Sequence, residues 1–505
     1  MELTDLLAYN WGVMMPEFII LGTVALLVIL DLFLGKNFDR KLFGWIAIAA
    51  IISAGIALVG MLDTPVTSIL EDTYRLDSFS KAFKLILLAG SVFVMLLAMN
   101  YNPKDGFAEY RGEFFYLFLA ALLGGMIMSS SGDLITLFVG LELLSIPSYI
   151  LAGMRRNQLA SNESAMKYVI NGGISSAITL FGMSYVYGLS GSTNLITIAR
   201  TLSTNADSQH IYLLGLAFFM IFVGLSFKLA AAPFHMWAPD VYQGAPTPVT
   251  AFLSVVSKAA GFIILVRIMF TVFLMAVSDG PGTMPILFKL QDYIAFLAAA
   301  TMIIGNVIAL RQRNIKRLFA YSSIAHAGYI LVAFTSLNYL TFDAIWFYLV
   351  AYLFMNMGAF AVIQLMSETT GSEEIKDFAG FYKKAPLLAT AFGILLLSLA
   401  GFPGTAGFIG KVNIFMSAFY DKSNPHYVLA SIMIATTVVS YVYYFGILTQ
   451  MFFRPAADTK TLKIPAGILA TVGITVVASI LFGILPNIAL DFLHGNFNGF
   501  VDFLE

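Results

Sequence analysis

A chain of 505 residues that is 59% hydrophobic and only 11% charged cannot cover itself with a solvated surface, because soluble domains use about 25% charged residues. The formal net charge of −1 gives no basic face for nucleic acid, and with no cysteine the chain cannot hold a cysteine-ligated iron–sulfur cluster, a disulfide or a cysteine nucleophile. No two of the five histidines (His210, His235, His326, His426, His494) are spaced i, i+4, so no helical metal-binding pair is present and any electron transfer belongs to other chains.

The apolar residues come in blocks of the length a bilayer requires, about 20 residues per helix. In chain order, the blocks predict 14 transmembrane spans at 16–34, 42–61, 80–99, 113–130, 133–154, 164–189, 211–232, 247–277, 291–310, 318–336, 342–367, 386–419, 427–452 and 464–488. The stretch before the first span is acidic (Glu2, Asp5) where a cleavable leader would be basic. With this span count the connections on one side hold seventeen lysines and arginines, among them Lys36, Lys104, Arg155, Arg311, Arg317, Lys376 and Lys460. The other side holds four: Arg75, Arg200, Lys289 and Lys422. Since basic loops stay in the cytoplasm, the asymmetry predicts both termini on the outer side of the membrane.

Two spans contain helix-breaking residues. The seventh runs into GLSFKLAAAPFHMWAPD, broken by Pro233 and Pro239; the twelfth reads LSLAGFPGTAGFIGKVNIF, broken by Gly401, Pro403, Gly404 and Gly407. Proline removes a backbone donor and glycine loosens a helix. Inside a membrane such backbone is tolerated only where protein buries it or where it lines a wet cavity. The breaks lie five spans apart, in helices running in opposite directions, as an inverted repeat of five helices (spans 4–8 and 9–13) would place them. The expected organisation is an N-terminal three-helix segment (1–112), a first repeat (113–278), a second, inverted repeat (279–453) and a C-terminal span with its tail (454–505). Two unrelated proline kinks would also give these breaks.

Ionisable residues deep within the spans are the strongest functional signal. Glu142 is nine residues into span 5 from Asp133, or ~14 Å at 1.5 Å per residue, close to the midplane. Lys258 in span 8, His326 in span 10 and Lys411 in span 12 lie at comparable depth; Lys228 precedes the break in span 7 and His235 follows it. Each such group costs about 2.5–3.5 kcal/mol to insert, so partners or water must be near. A carboxylate beside a buried lysine stabilises its ammonium form, so Glu142 near Lys228 would hold a proton that a change in charge or hydration releases. Lys228, Lys258 and Lys411 would then pass it along a hydrated line, with His326 as a relay. One buried pair could equally be glue between helices; five groups on five helices at one depth favour transport. Asp31 and Lys167, near span ends, are expected to reach the interface, and Glu163 is either an inlet carboxylate or a solvated one. The segment GTAGFIGKV (404–412) is not a phosphate loop, because its spacing is one residue off and Val412 stands where Ser or Thr is required.

Three long motifs carry a family resemblance. PFHMWAPDVYQGAPTPVTAFLSVVSK (233–258), KRLFAYSSIAHAGYI (316–330) and AGFPGTAGFIGK (400–411) resemble, in that order, the signatures of the antiporter-like membrane subunits of respiratory complex I, the proton-translocating NADH–quinone oxidoreductase. The HMWAPDVY wording and Lys411 are similar to one branch of that family, a paralogous branch being expected to carry glutamate at that position. The resemblance spans essentially the whole chain. It implies an all-α polytopic fold of fourteen helices with two inverted five-helix repeats, each with a broken helix. It also implies that Glu142, Lys228, Lys258, Lys411 and His235 match the family's proton-translocating residues. No cofactor is implied for this chain: NADH, FMN, iron–sulfur clusters and quinone would belong to partner subunits. The implied partners are other antiporter-like and small membrane subunits, the hydrophilic arm and the lipid of a bacterial plasma membrane. Two other readings remain open at the level of sequence: a subunit of a multi-subunit Na+/H+ antiporter, and a scaffold whose lysines are structural.

Overall fold

A computed structural model describes residues 8–35, 38–102, 107–204, 208–277, 284–335, 340–419, 425–455 and 462–503. Lys36, Lys104, Lys422 and Lys460 of the loop-charge asymmetry, and the repeat boundary at 278/279, lie outside them.

The chain is helical almost throughout. Its principal helices are α1 (Met15–Phe33), α2 (Lys41–Val59), α3 (Ser78–Asn100), α4 (Arg111–Ser130), α5 (Leu134–Ala152), α6 (Leu159–Ser190), α7 (Leu195–Thr204), α8 (Ser208–Leu229), α9 (Trp237–Gly244), α10 (Thr247–Ser254), α11 (Val256–Ile268), α12 (Gln291–Ala309), α13 (Ile315–Val332), α14 (Leu340–Thr370), α15 (Pro386–Ala400), α16 (Ala406–Ser417), α17 (Tyr427–Phe453), α18 (Ala466–Ile484) and α19 (Asn487–Phe497). A two-stranded antiparallel hairpin, β1 (Thr67–Ile69) with β2 (Tyr74–Leu76), precedes α3 and pairs Ser68 with Arg75. Among the described residues, thirteen helices are long and apolar enough to cross a membrane, counting Thr247–Phe273 as one. The expected span at 386–419 is instead the pair α15 and α16, separated by 401–405.

Helix starts follow from local chemistry. Asp77 caps α3 by accepting from the Ser80 amide while the Ser80 hydroxyl returns a bond to Asp77. The Asp133 carboxylate caps α5 through the amides of Ile135 (2.7 Å) and Thr136 (3.2 Å). Asn314 does the same for α13 through the Arg317 amide at 3.1 Å.

The breaks are more localised than the motifs imply. In the first, the non-helical segment is 230–236, with Ala230 at φ +56° and Pro233 inside it. Pro239 breaks nothing: it sits in the first turn of α9, where amides have no intrahelical partner and proline's missing N–H is harmless. In the second, Gly401 and Gly404 adopt φ +86° and +87°, the left-handed region that an L side chain rarely occupies. Gly407 is already inside α16, and it is glycine because an added Cβ would lie 1.9 Å from the Ser398 carbonyl oxygen.

The layers of the molecule place the buried charges. The apolar stretches of Thr247–Phe273 and Ile315–Thr335 are wholly enclosed by other helices and Leu340–Thr370 almost so, whereas α1 and α6 leave most of theirs facing outward. Lys258 and His326 therefore sit on the two innermost helices. A helix apolar on every side suits both a lipid and a protein interior, which is why sequence alone does not separate inner from outer spans.

Candidate functional site

Glu142 and Lys228 face each other across α5 and α8, within electrostatic range. They are not in direct contact: the Lys228 ammonium donates to the Ser145 hydroxyl at 3.0 Å. Ser145 lies one turn beyond Glu142, so both occupy one helix face. The buried Glu142 Oε1 has no hydrogen-bond partner among the described residues. Pro147, inside α5, withdraws the amide that would bond the Leu143 carbonyl, freeing a further acceptor beside Glu142. An uncompensated buried carboxylate oxygen is costly.

Lys258 projects from α11 into the centre. Its ammonium donates to both the carbonyl and the hydroxyl of Ser323 on α13 and lies 5.9 Å from the centre of the Tyr352 ring. The Ser323 hydroxyl faces Tyr242 OH at 3.3 Å, and Ser254 faces Tyr352 OH at 3.2 Å. One helical turn along α13 from Ser323 is His326. Its Nδ1 is 2.7 Å from Tyr348 OH and its Nε2 3.4 Å from Tyr444 OH, which also bonds the Ser322 hydroxyl at 2.5 Å.

Lys411 uses the second break. Its ammonium donates to the carbonyls of Leu399 (3.2 Å) and Ala400 (2.9 Å), the last of α15, which have no amide to accept from once the helix ends. Its stem packs over Gly401, where a Cβ would lie 2.9 Å from Lys411 Cδ. The ammonium sits 4.9 Å from the centre of the Tyr329 ring, which is 5.6 Å from the His326 ring.

The structure thus gathers Lys258, His326 and Lys411 around α13, through Ser323 and the Tyr329 ring, and sets Glu142 within electrostatic range of Lys228 without contact. His235 is buried at the first break, its ring 6.5 Å from Tyr321, and neither ring nitrogen has a hydrogen-bond partner among the described residues. Among those residues, no hydrogen bond joins the Glu142–Lys228 pair to Lys258. Sequence reasoning missed the hydroxyls that link the charges: Ser145, Ser322, Ser323, Tyr242, Tyr329, Tyr348, Tyr352 and Tyr444. Helical spacing holds the signal for several of them. Ser322 and Ser323 precede His326 by four and three residues, and Tyr348 and Tyr352 are four apart on α14.

Two other charge clusters flank this line. At the end carrying the basic loops, Asp240 on α9 pairs with Lys167 (2.5 Å) and Arg317 (2.6 Å), and Lys167 also holds Glu163 at 2.6 Å. Lys167 and Glu163 are thus partnered at the rim, tying α6, α9 and α13 together. Buried Lys316 pairs with Glu373 at 2.9 Å. At the opposite end Lys84 pairs with Glu17 (2.5 Å) under Tyr74, and Arg267 makes a bidentate contact with Asp77 (2.6 and 2.8 Å). Among the described residues no group of His, Asp and Glu could hold a metal ion.

Comparisons with known proteins agree with this architecture. Residues 131–440 match the family described as NADH:quinone oxidoreductase/Mrp antiporter, TM. The chain is 59% identical over 494 residues to NADH-quinone oxidoreductase subunit N of Geobacillus sp. (strain WCH70), covering 98% of this chain and all of that one. It superposes on a chain of respiratory complex I from Thermus thermophilus with a TM-score of 0.78 at 32% identity, covering 95% of this chain and 99% of that chain. A chain of the Mrp complex from Dietzia sp. DQ12-45-1b shares the fold, with a TM-score of 0.82 at 17% identity over 98% of this chain and 100% of that chain. The chain belongs to the NADH:quinone oxidoreductase/Mrp antiporter membrane family and, within it, to the subunit N group of NADH-quinone oxidoreductases.

Proposed function

We propose that Glu142, Lys228, Lys258, His326 and Lys411 carry protons through this subunit, with His235 at the first break as a further relay. The chain is a membrane subunit of a proton-translocating NADH–quinone oxidoreductase, and electron transfer in other subunits drives the transport. The observation that carries the proposal is the bonding of Lys258 to Ser323 on the same face of α13 as His326. It runs charge and hydroxyl groups in sequence from α11 to α16, deep in the protein. NADH, flavin, iron–sulfur clusters and quinone are assigned to partner subunits. The partners are other antiporter-like and small membrane subunits and the hydrophilic arm, in a bacterial plasma membrane with both termini outside.

The same reading assigns fourteen crossings, with α15 and α16 forming the broken twelfth, and two inverted repeats at 113–278 and 279–453 between the N-terminal segment (1–112) and the last span (454–505). The two backbone breaks, at 230–236 and 401–405, support it: each lies beside a buried lysine, Lys228 and Lys411 respectively.

Replacing Lys258 with alanine removes the ammonium that meets Ser323. In the assembled complex, NADH-driven proton translocation is expected to drop well below the native level while NADH oxidation by an artificial acceptor is unchanged. Native pumping in that variant would refute the role of Lys258. Unchanged proton stoichiometry after replacing Glu142, Lys228, Lys258 and Lys411 in turn would make the chain a scaffold. Sodium-dependent pH changes in vesicles without any electron donor would make it a cation antiporter.

A further inference from the structure

On the side of the basic loops, between the ends of α12, α13 and α17, lies an open cavity of about 470 Å³. Gly446 lines it, and a side chain there would meet no atom within 4 Å. The cavity ends an apolar seam. Leu310 and Val442 line it and face outward. The same helix faces stay apolar and exposed through Val307 and Ile303 on α12, and through Val438 and Ile434 on α17. From Ile434 to Gly446 α17 rises ~18 Å, close to the ~15 Å of one leaflet's hydrocarbon.

At the polar end the rim is built from two tethered loops. The Ile375 amide donates to the Arg313 carbonyl at 2.9 Å and the Ile315 amide to the Glu373 carbonyl at 2.8 Å, so that Asn314 and Glu374 pair as a short antiparallel bridge. This ladder fixes the backbone from which Arg313, Glu374 and Lys376 line the cavity. Lys316 and Arg317, close by in the sequence, are neutralised by Glu373 and Asp240. The side chains of Arg313, Lys376 and Glu374, by contrast, have no hydrogen-bond or ion-pair partner among the described residues. Two cations and one carboxylate therefore border the cavity uncompensated, with Gln312 and Gln450 as neutral polar groups beside them.

We propose that this groove binds one phospholipid of the phosphatidylglycerol type, with a single phosphate diester and a hydroxylated headgroup. The phosphate lies against Arg313 and Lys376, and one acyl chain follows Gly446 and the seam. A basic recess between helices at headgroup level suits an anionic lipid. The excess of one cation over the carboxylate matches a single negative charge. Glu374 disfavours a second phosphate and, with Gln312 and Gln450, offers acceptors to the headgroup hydroxyls. A zwitterionic lipid brings no net charge to balance the rim, and a free phosphate ion leaves the seam unfilled. The site is separate from the buried lysines and stands whichever residues carry protons.

The test reconstitutes the assembled complex in phosphatidylcholine vesicles with a trace of phosphatidylglycerol that carries a photoactivatable acyl chain, and maps the labelled peptides by mass spectrometry. Label is expected on α12 and α17 around Leu310 and Val442. Arg313→Gln and Lys376→Gln should each lower it about 5-fold, the effect of one basic group near an anionic lipid, and Arg313→Lys should restore most of it. Gly446→Leu should lower it by filling the groove, and Glu374→Gln should raise it by removing the opposing charge. Equal labelling by photoactivatable phosphatidylcholine, in native complex or in Arg313→Gln, would reduce the groove to bulk lipid contact and overturn the proposal. Displacement of the label by inorganic phosphate would make it a site for the free ion and also overturn it. So would absence of label in the native complex, which would mean that a neighbouring subunit covers the groove. If a variant fails to assemble, the comparison of the two photoactivatable lipids on native complex decides by itself.

Discussion

Gly401 and Gly404 stand three residues apart in the second break, both at positive φ, and they separate two effects that usually coincide. A Cβ on Gly404 meets open space, whereas one on Gly401 meets the Lys411 side chain 2.9 Å from Cδ and 3.2 Å from Nζ. Either substitution by alanine forces an L side chain into left-handed backbone at about 1–2 kcal/mol. Gly401→Ala and Gly404→Ala are therefore expected to lower the thermal midpoint of the detergent-purified complex by similar amounts. Only Gly401→Ala displaces the Lys411 ammonium from the carbonyls of Leu399 and Ala400, so only it should reduce proton translocation. Equal pumping in the two variants would show that the position of Lys411 does not matter.

Among the elements, the buried ion pairs away from the proton line act as fasteners. Arg267 on α11 reaches the Asp77 carboxylate at the start of α3 and, in the same fork, the Ser129 carbonyl at the end of α4. Just beyond it, residues 269–273 form a π-helical turn, the kind of local rewinding that re-aims a helix end. Lys84 and Glu17 join α3 to α1 under Tyr74 of the hairpin. Removing one member of a buried pair leaves a naked charge. Arg267→Leu should therefore destabilise the subunit by about 3–5 kcal/mol, read as loss of assembled complex or a lower thermal midpoint. The double variant Arg267→Leu with Asp77→Asn should recover only part of that loss, since Arg75, 3.6 Å from Asp77 Oδ2, keeps its charge. No recovery would mean that geometry rather than charge holds these three helices.

At the scale of the whole molecule, the outer helices present apolar side chains outward while a minority of the charges is buried between helices. Leu32, Phe33, Ile56, Met166, Phe181, Phe296, Val438 and Val477 all face outward, a composition that lipid or the apolar face of a neighbouring subunit satisfies. A membrane subunit of this kind should leave mild detergent with its partners. Purification through a tag on this chain is expected to recover flavin- and iron–sulfur-bearing proteins by mass spectrometry, together with NADH dehydrogenase activity. Recovery of small membrane proteins alone would favour the cation-antiporter alternative.

The sequence by itself determined the membrane class, because 11% charge leaves no solvated surface. It also determined the titratable set, because each of Glu142, Lys228, Lys258, His326 and Lys411 is anomalous within its own apolar block. It located both breaks, since proline and glycine act through local backbone chemistry, although it gave Pro239 and Gly407 a disruptive role that their positions inside helices remove. Tertiary structure alone decided which charges meet. Lys228 donates to Ser145 rather than to Glu142, Ser323 joins Lys258 to the helix of His326, and Asn306 bridges Tyr329 and Tyr443. Serine, asparagine and tyrosine are unremarkable in an apolar helix until a neighbouring helix brings a partner to them. The contacts made here join residues up to 137 positions apart in sequence, a separation at which local periodicity carries no information.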